Sequence, residues 1–255
     1  MTYPINAIDG IDADEAEALK AVGIRTTVKL LEAAKNLKGR KLLAEKTGLD
    51  EKRLADEIRQ IDDANKMYAG FKVLKGTEID IRSDGRLDLD DEALAGLDIV
   101  VASIHSGFRQ TEEQITKRIL SAIRNPYVSV IAHPTGRLIG ERDAYAVNID
   151  AILREAAKYG VAMEVNAYPL RLDLNDTHVK LAKQYGVPLV ICTDMHVTSQ
   201  FDFMSYGVSV ARRGWAEKKD VLNALPYERL LEKLKACREG KLKSKSSKTQ
   251  RRGTA

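Results

Sequence analysis

FKVLKGTEIDI, residues 71–81, is where the sequence changes period. Downstream, short β-rich runs recur: LDIVVASI (97–104), YVSVIA (127–132), VAMEVN (161–166), VPLVIC (187–192) and, as a sixth candidate, YGVSVA (206–211). Amphipathic helical stretches near 111–124, 149–159, 174–185 and 226–237 separate them. Strands alternating with helices predict parallel βα units, because a parallel pair needs a crossover and the crossover is usually a helix. A barrel wall and an open doubly wound sheet both satisfy that alternation. Five or six units in about 165 residues fall short of a closed eight-fold barrel, which normally uses about 250 residues. There is no glycine-rich dinucleotide fingerprint and no Walker loop, which weakens nucleotide-cofactor readings.

Upstream of that stretch the pattern is helical. Residues 5–65 place apolar side chains at three- and four-residue steps, as in Ala16, Leu19 and Val22 or Leu54, Ile58 and Ile61. Breaks at Gly10, Gly23, Gly39 and Gly48 divide the segment into four or five helices; Thr26 or Thr27 and Asp50 are candidate N-caps. The reading gives a helical module over 1–50, an α/β domain over 51–237 and a basic tail over 238–255. The tail, REGKLKSKSSKTQRRGTA, holds seven Lys/Arg and one Glu, and is expected to be disordered for want of apolar surface. It accounts for more than the whole formal charge of +4, so the body of the chain is slightly acidic and nucleic-acid contact by the tail is weak at best.

Composition excludes other classes. With 255 residues, 44% of them hydrophobic, the chain is long enough to bury a core. No run approaches the roughly 18 apolar residues of a membrane helix, and the acidic opening MTYPINAIDGIDADE does not read as a signal peptide, so a cytoplasmic address without membrane contact is expected. Cys192 and Cys237 are too few for a disulfide framework or a thiolate zinc site.

The chemistry is placed by position. Glu78 ends the first strand candidate, His105 the second, His133 the third, Glu164 and Asn166 the fourth, and Asp194 with His196 the fifth. In parallel βα folds those C-terminal ends converge on one face, where barrel enzymes keep their active sites. Imidazoles mixed with carboxylates and without cysteine suit zinc, manganese or iron, and two such ions would activate water and hold phosphate oxygens in line. Arg137 in HPTGR and Arg171 in PLRLDLND are candidates to clamp phosphate, Arg171 having Asp173 as an alternative partner. His178, in the helical DTHVKLA, faces solvent or packs on a helix, and Trp215 is expected to pack a helix start.

The motifs GTEIDI, LDIVVASIHSGF, NPYVSVIAHPTGRLIG, EVNAYPLRLDLND, TDMH and YGVSVARRGW, spread over residues ~51–235, resemble the PHP (polymerase and histidinol phosphatase) domain of bacterial family X DNA polymerases. That resemblance implies a distorted (β/α) TIM-like barrel of parallel strands that binds up to three divalent metals. It also implies phosphoesterase or 3′–5′ exonuclease activity on phosphate esters or DNA ends. By the same resemblance Glu78 bridges metals, His105 and His133 complete one site with it, Asp194 serves a second ion and His196 a third.

This sequence departs from the family's pattern at its start. The opening HxH strand and the TDH-like strand end are missing, so about two βα units are absent and only the Glu78, His105, His133 set is whole. Residues 1–50 instead resemble a helix-hairpin-helix module, with AIDGIDADEAEALKAVGI as the hairpin. Its turn, Gly10-Ile11-Asp12, is a weak candidate for DNA phosphate because an aspartate stands where a second glycine would favour an anion. The alternative function is a recombined scaffold, natural or engineered, of low or no turnover that binds DNA or protein and keeps a partial metal site. Exposed sheet edges would then be covered by the N-terminal helices or by a second copy of the chain.

Overall fold

A computed structural model describes residues 13–23, 61–68, 70 and 72–252. The chain divides into two units, Met1–Lys75 and Gly76–Ala255.

In the first unit, helix α1 (Ala13–Ala21) buries Leu19 and is followed by Gly23 in the left-handed region at φ 84°, the helix-ending role its position predicts. A second helical stretch covers 61–67, and the Asn65 amide bonds both the N–H and the C=O of Val73, at 2.7 and 2.8 Å. The Gly10-Ile11-Asp12 turn, the caps at Thr26, Thr27 and Asp50 and most of the predicted helices lie outside the described residues.

The second unit is a run of βα steps: β1 (Gly76–Asp80), α2 (Asp91–Ala95), β2 (Ile99–Ser103), α3 (Glu112–Arg124), β3 (Val130–Ile131), α4 (Ile149–Tyr159), β4 (Ala162–Asn166), α5 (Asp176–Gln184) and β5 (Leu189–Cys192), then α6 (Met204–Arg213) and α7 (Tyr227–Arg252). Local sequence sets the helix boundaries. Thr111 and Gln114 form a reciprocal capping box at the start of α3, Asn148 and Asn175 cap α4 and α5, and Gly160 ends α4 at φ 67°. Helix α3 then buries Ile115, Ile119, Ala122 and Ile123, the three- and four-residue steps of one helix face.

All five strands are parallel and lie in sequence order, β1-β2-β3-β4-β5. A doubly wound sheet reverses its strand order at a switch point, and this one does not. Successive helices pack on each other, α3 on α4, α4 on α5 and α5 on α6, which puts them on one side of the sheet. The arrangement is compatible with a TIM-like fold. The helix-facing side carries Ile79, Val100, Ala102, Ile131, Met163, Leu189 and Ile191 in the main core.

The other face is set by register. Glu78 pairs with Val101, Val101 with Val130, Val130 with Ala162, and Glu164 with Val190. Strand side chains alternate, so Glu78, Val101, Val130, Ala162, Glu164 and Val190 share that face. Val130, Ala162 and Val190 form a separate apolar cluster there, and the polar residues follow toward the strands' C-terminal ends. Beyond β5, Leu189 makes a parallel bridge to Val221, and the Asn223 amide bonds the N–H and C=O of Ile191 at 3.1 and 2.7 Å. A side chain thus stands in for a neighbouring strand at that edge.

Two expectations change. YGVSVA (206–211) is not a strand but lies inside α6, where Gly207, Ala211 and then Gly214 turn inward at helical spacing. Residues 238–252, expected to be disordered, continue α7 to Arg252. Leu234 and Cys237 start the inward stripe, Arg238 donates to Leu97 O at 2.7 Å, and the buried Lys241 ammonium donates to Val128 O at 2.5 Å. Aliphatic stems and charge-to-carbonyl bonds dock this helix without the apolar residues a sequence scan looks for. No helix among the described residues is long and apolar enough to cross a membrane.

Candidate metal centre

Glu78 sits mid-strand in β1 and does not end it, His105 and His133 lie just past the C-terminal ends of β2 and β3, and one donor atom from each lies within 4.8 Å of the others. His133 Nε2 is 3.1 Å and His105 Nε2 3.5 Å from Glu78 Oε1. The two imidazole rings sit 5.2 Å apart, tilted by 55°. Burial pushes the Glu78 carboxyl up, but hydrogen bonds from His133 and Ser103, with the charges of His133 and His105, outweigh it and hold the group at about 2. The carboxylate is therefore ionised across the whole physiological range.

Each histidine is oriented from behind. His105 Nδ1 is 2.6 Å from Asp80 Oδ1, and that bond raises the imidazole above its ordinary pKa while burial opposes it. His133 adopts φ 29°, a left-handed conformation that costs a non-glycine residue, and its backbone N–H donates to Glu164 Oε2 at 2.6 Å. The Glu164 carboxyl is fully buried and pushed up to about 8 by that burial, with the Asp194 charge adding to it.

The remaining candidates form a neighbouring polar chain. Asn166 donates to Glu164 Oε2 at 3.3 Å and to Asp194 Oδ2 at 3.2 Å. Arg171 pairs with that same Asp194 oxygen at 3.2 Å, and not with Asp173. Asp194, at φ 53°, and His196 lie outside the three-donor group, and His196 Nδ1 contacts the Asp194 carbonyl at 2.8 Å. Arg137 spends its guanidinium on the backbone, donating to the carbonyls of Arg171 and Leu172. Trp215 is 72% exposed and does not pack a helix start, while its carbonyl accepts from Lys183. Cys192 lies under Glu164 with its thiol pushed up by burial.

Asp80 and Asp173 are the polar residues missed from sequence. Asp80 had a signal: in TEIDI it stands two residues after Glu78, hence on the same strand face. The donor set fits a divalent cation such as zinc, manganese or iron, since two imidazole nitrogens and one ionised carboxylate converge, with the outer nitrogen of His105 held by Asp80.

Residues 9–63 match a family described as a domain of unknown function, DUF4332. Over 177 residues, 69% of this chain, the sequence is 50% identical to the DNA polymerase/3′-5′ exonuclease PolX of Bacillus subtilis (strain 168), of which it spans 31%. It is 31% identical over 164 residues to a probable phosphatase of Thermoanaerobacter sp. (strain X514), covering 60% of this chain and 64% of that one. A probable phosphatase of Shewanella oneidensis is 30% identical over 170 residues, 63% of this chain and 65% of its own. The chain thus spans less than two thirds of each of these relatives. Its α/β portion resembles the PHP domain of bacterial family X DNA polymerases.

Proposed function

We propose that this chain is a metal-dependent phosphoesterase of PHP type acting on phosphate esters, DNA ends among them. The observation that carries the reading is the convergence of Glu78, His105 and His133 from three adjacent strands and the turns that follow them. A divalent cation held there supplies Lewis acidity toward a phosphate oxygen and lowers the pKa of water. The chain's own residues do the rest. Glu78 stays anionic, Asp80 fixes the ring of His105, and Glu164 fixes the backbone of His133. Arg171, mostly buried and paired with Asp194, is the guanidinium nearest in this chain of contacts to meet a phosphate; Arg137 holds the loop that carries it. Asp194 and His196 as donors to further ions, and Gly10, Ile11 and Asp12 as a weak DNA contact, belong to the same proposal. So does the division of the chain at 50 and 237.

The test is metal content per chain together with manganese-stimulated release of nucleotides from a labelled 3′ end. Glu78→Gln and His133→Ala should each lower release by a hundredfold or more, and release that survives both changes overturns the reading. A second reading, a metal-binding scaffold of low turnover, has its own observation: only three donors converge among the described residues, and Asp194 is already engaged by Arg171 and Asn166. Bound metal without release would select it.

A further inference from the structure

Among the described residues three buried side-chain nitrogen or oxygen atoms have no hydrogen-bond partner: His133 Nδ1, Asp173 Oδ1 and His178 Nδ1. Burying a polar atom without a hydrogen bond is costly, so such atoms call for an explanation. They also share an electrostatic neighbourhood, because Asp173 senses the charge of His133 and His178 senses that of Asp173.

Asp173 is completely buried. Its Oδ2 accepts three bonds from the loop after β3: Thr135 N–H at 2.9 Å, Thr135 Oγ1 at 2.9 Å and Gly136 N–H at 3.2 Å. That loop begins at His133 and closes on itself, since Gly136 N–H donates to His133 O at 2.9 Å. A Cβ at Gly136 would lie 2.2 Å from the Tyr145 ring, so the turn admits no side chain there. One oxygen of Asp173 thus pins the strained turn that presents His133, and the other is left with nothing to accept. His133 for its part is held at its backbone N–H by Glu164 and at Nε2 by Glu78, and only Nδ1 is unspoken for.

We propose that Asp173 is a positioning residue for the metal centre, pinning the His133 turn with one oxygen and accepting with the other from His133 Nδ1–H through one buried water. The inference rests on the reading of Glu78, His105 and His133 as a metal site. Metal-binding histidines commonly donate their second ring N–H to a carboxylate, carbonyl or water, which fixes the tautomer that leaves the ligating nitrogen bare. His105 shows this pairing with Asp80 at 2.6 Å, and Asp173 is the corresponding carboxylate for His133.

Asp173→Asn separates this role from a merely structural one. The amide oxygen keeps an acceptor for Thr135 and Gly136, while the amide NH2 faces Nδ1 with a donor. The imidazole must then accept at Nδ1 and carry its proton on Nε2, the atom that faces Glu78. The probe is zinc alone, titrated calorimetrically into metal-free wild-type and variant protein of matched melting temperature. The expected result is a 10- to 100-fold loss of zinc affinity in the variant. Equal affinity overturns this inference and leaves the phosphoesterase reading standing, whereas a wild-type chain that binds no zinc removes both. Should the variant fail to fold, nitrogen-15 spectra of the zinc-loaded wild type decide. A solvent-protected His133 Nδ1–H supports the proposal; a labile one, or a protected Nδ1–H on His178 in its place, overturns it.

Discussion

Glu78 and Glu164 share one face of one sheet and titrate in opposite directions. The difference is their company: Glu78 has two imidazoles and a hydroxyl, while Glu164 is buried with Asp194 and Glu78 nearby. Both carry a linkage consequence in the metal-free protein. Between its ordinary 4.5 and about 8, the folded state keeps a proton on Glu164 that the unfolded chain has released, so this contribution is full below 4.5 and is lost as pH rises toward 8. Glu78 acts with the opposite sign in another window, stabilising above 4.5 and losing that stabilisation as pH falls toward 2. Glu164→Gln should therefore flatten the alkaline decline, recovering a few kcal/mol at most at pH 8 and changing little at pH 4. Chemical denaturation of the chelator-treated proteins at both pH values checks it, and parallel pH curves would reject it. The donors Glu78, His105 and His133 were legible because Glu78 lies in a β-rich run and each histidine directly follows one. Asp173 was not legible, since nothing in PLRLDLND shows that its carboxylate reaches a loop 38 residues earlier in the chain.

At the scale of elements, the helical stretches near 111–124, 149–159 and 174–185 were read closely, because apolar periodicity is a local pattern, although their caps at Thr111, Asn148 and Asn175 were not named from the sequence. Helix α6 was misread. YGVSVA alternates as a strand would, yet Gly207 sits where a Cβ would fall 2.6 Å from Ile191 Cγ2 and 2.8 Å from Ala167 Cβ. The glycine permits a helix to lie flush on β4 and β5, and only the packed structure discloses that need. Gly207→Ala removes a helix-weakening residue, worth up to about 1 kcal/mol in favour, but overpacks a dense contact at a cost of about 1–3 kcal/mol. The net expectation is a destabilisation of about 1–2 kcal/mol. Urea unfolding measures it, and an unchanged or raised midpoint would show that Ile191 yields freely.

At the scale of the molecule, sequential strand order makes the two sides of the sheet unlike, one covered by helices and the other lined by polar groups at the strand ends. Native-state hydrogen exchange should follow the ladder: amides of β2, β3 and β4, paired on both sides, exchange last, and those of β1 exchange sooner. Equal protection of β1 would mean that its outer edge, which pairs with no strand among the described residues, is covered by another part of the chain or by another copy. The sequence by itself determined the βα alternation, the helix positions and the run of candidate donors along the strands, because periodicity acts over a few residues. The tertiary structure decided that the sheet is singly wound, that α7 docks through Arg238 and Lys241, that Asp80 stands behind His105 and that Asp173 pins the loop after β3. Those depend on register and burial between distant segments, where one carboxylate's partner is fixed by packing and not by its neighbours in the chain.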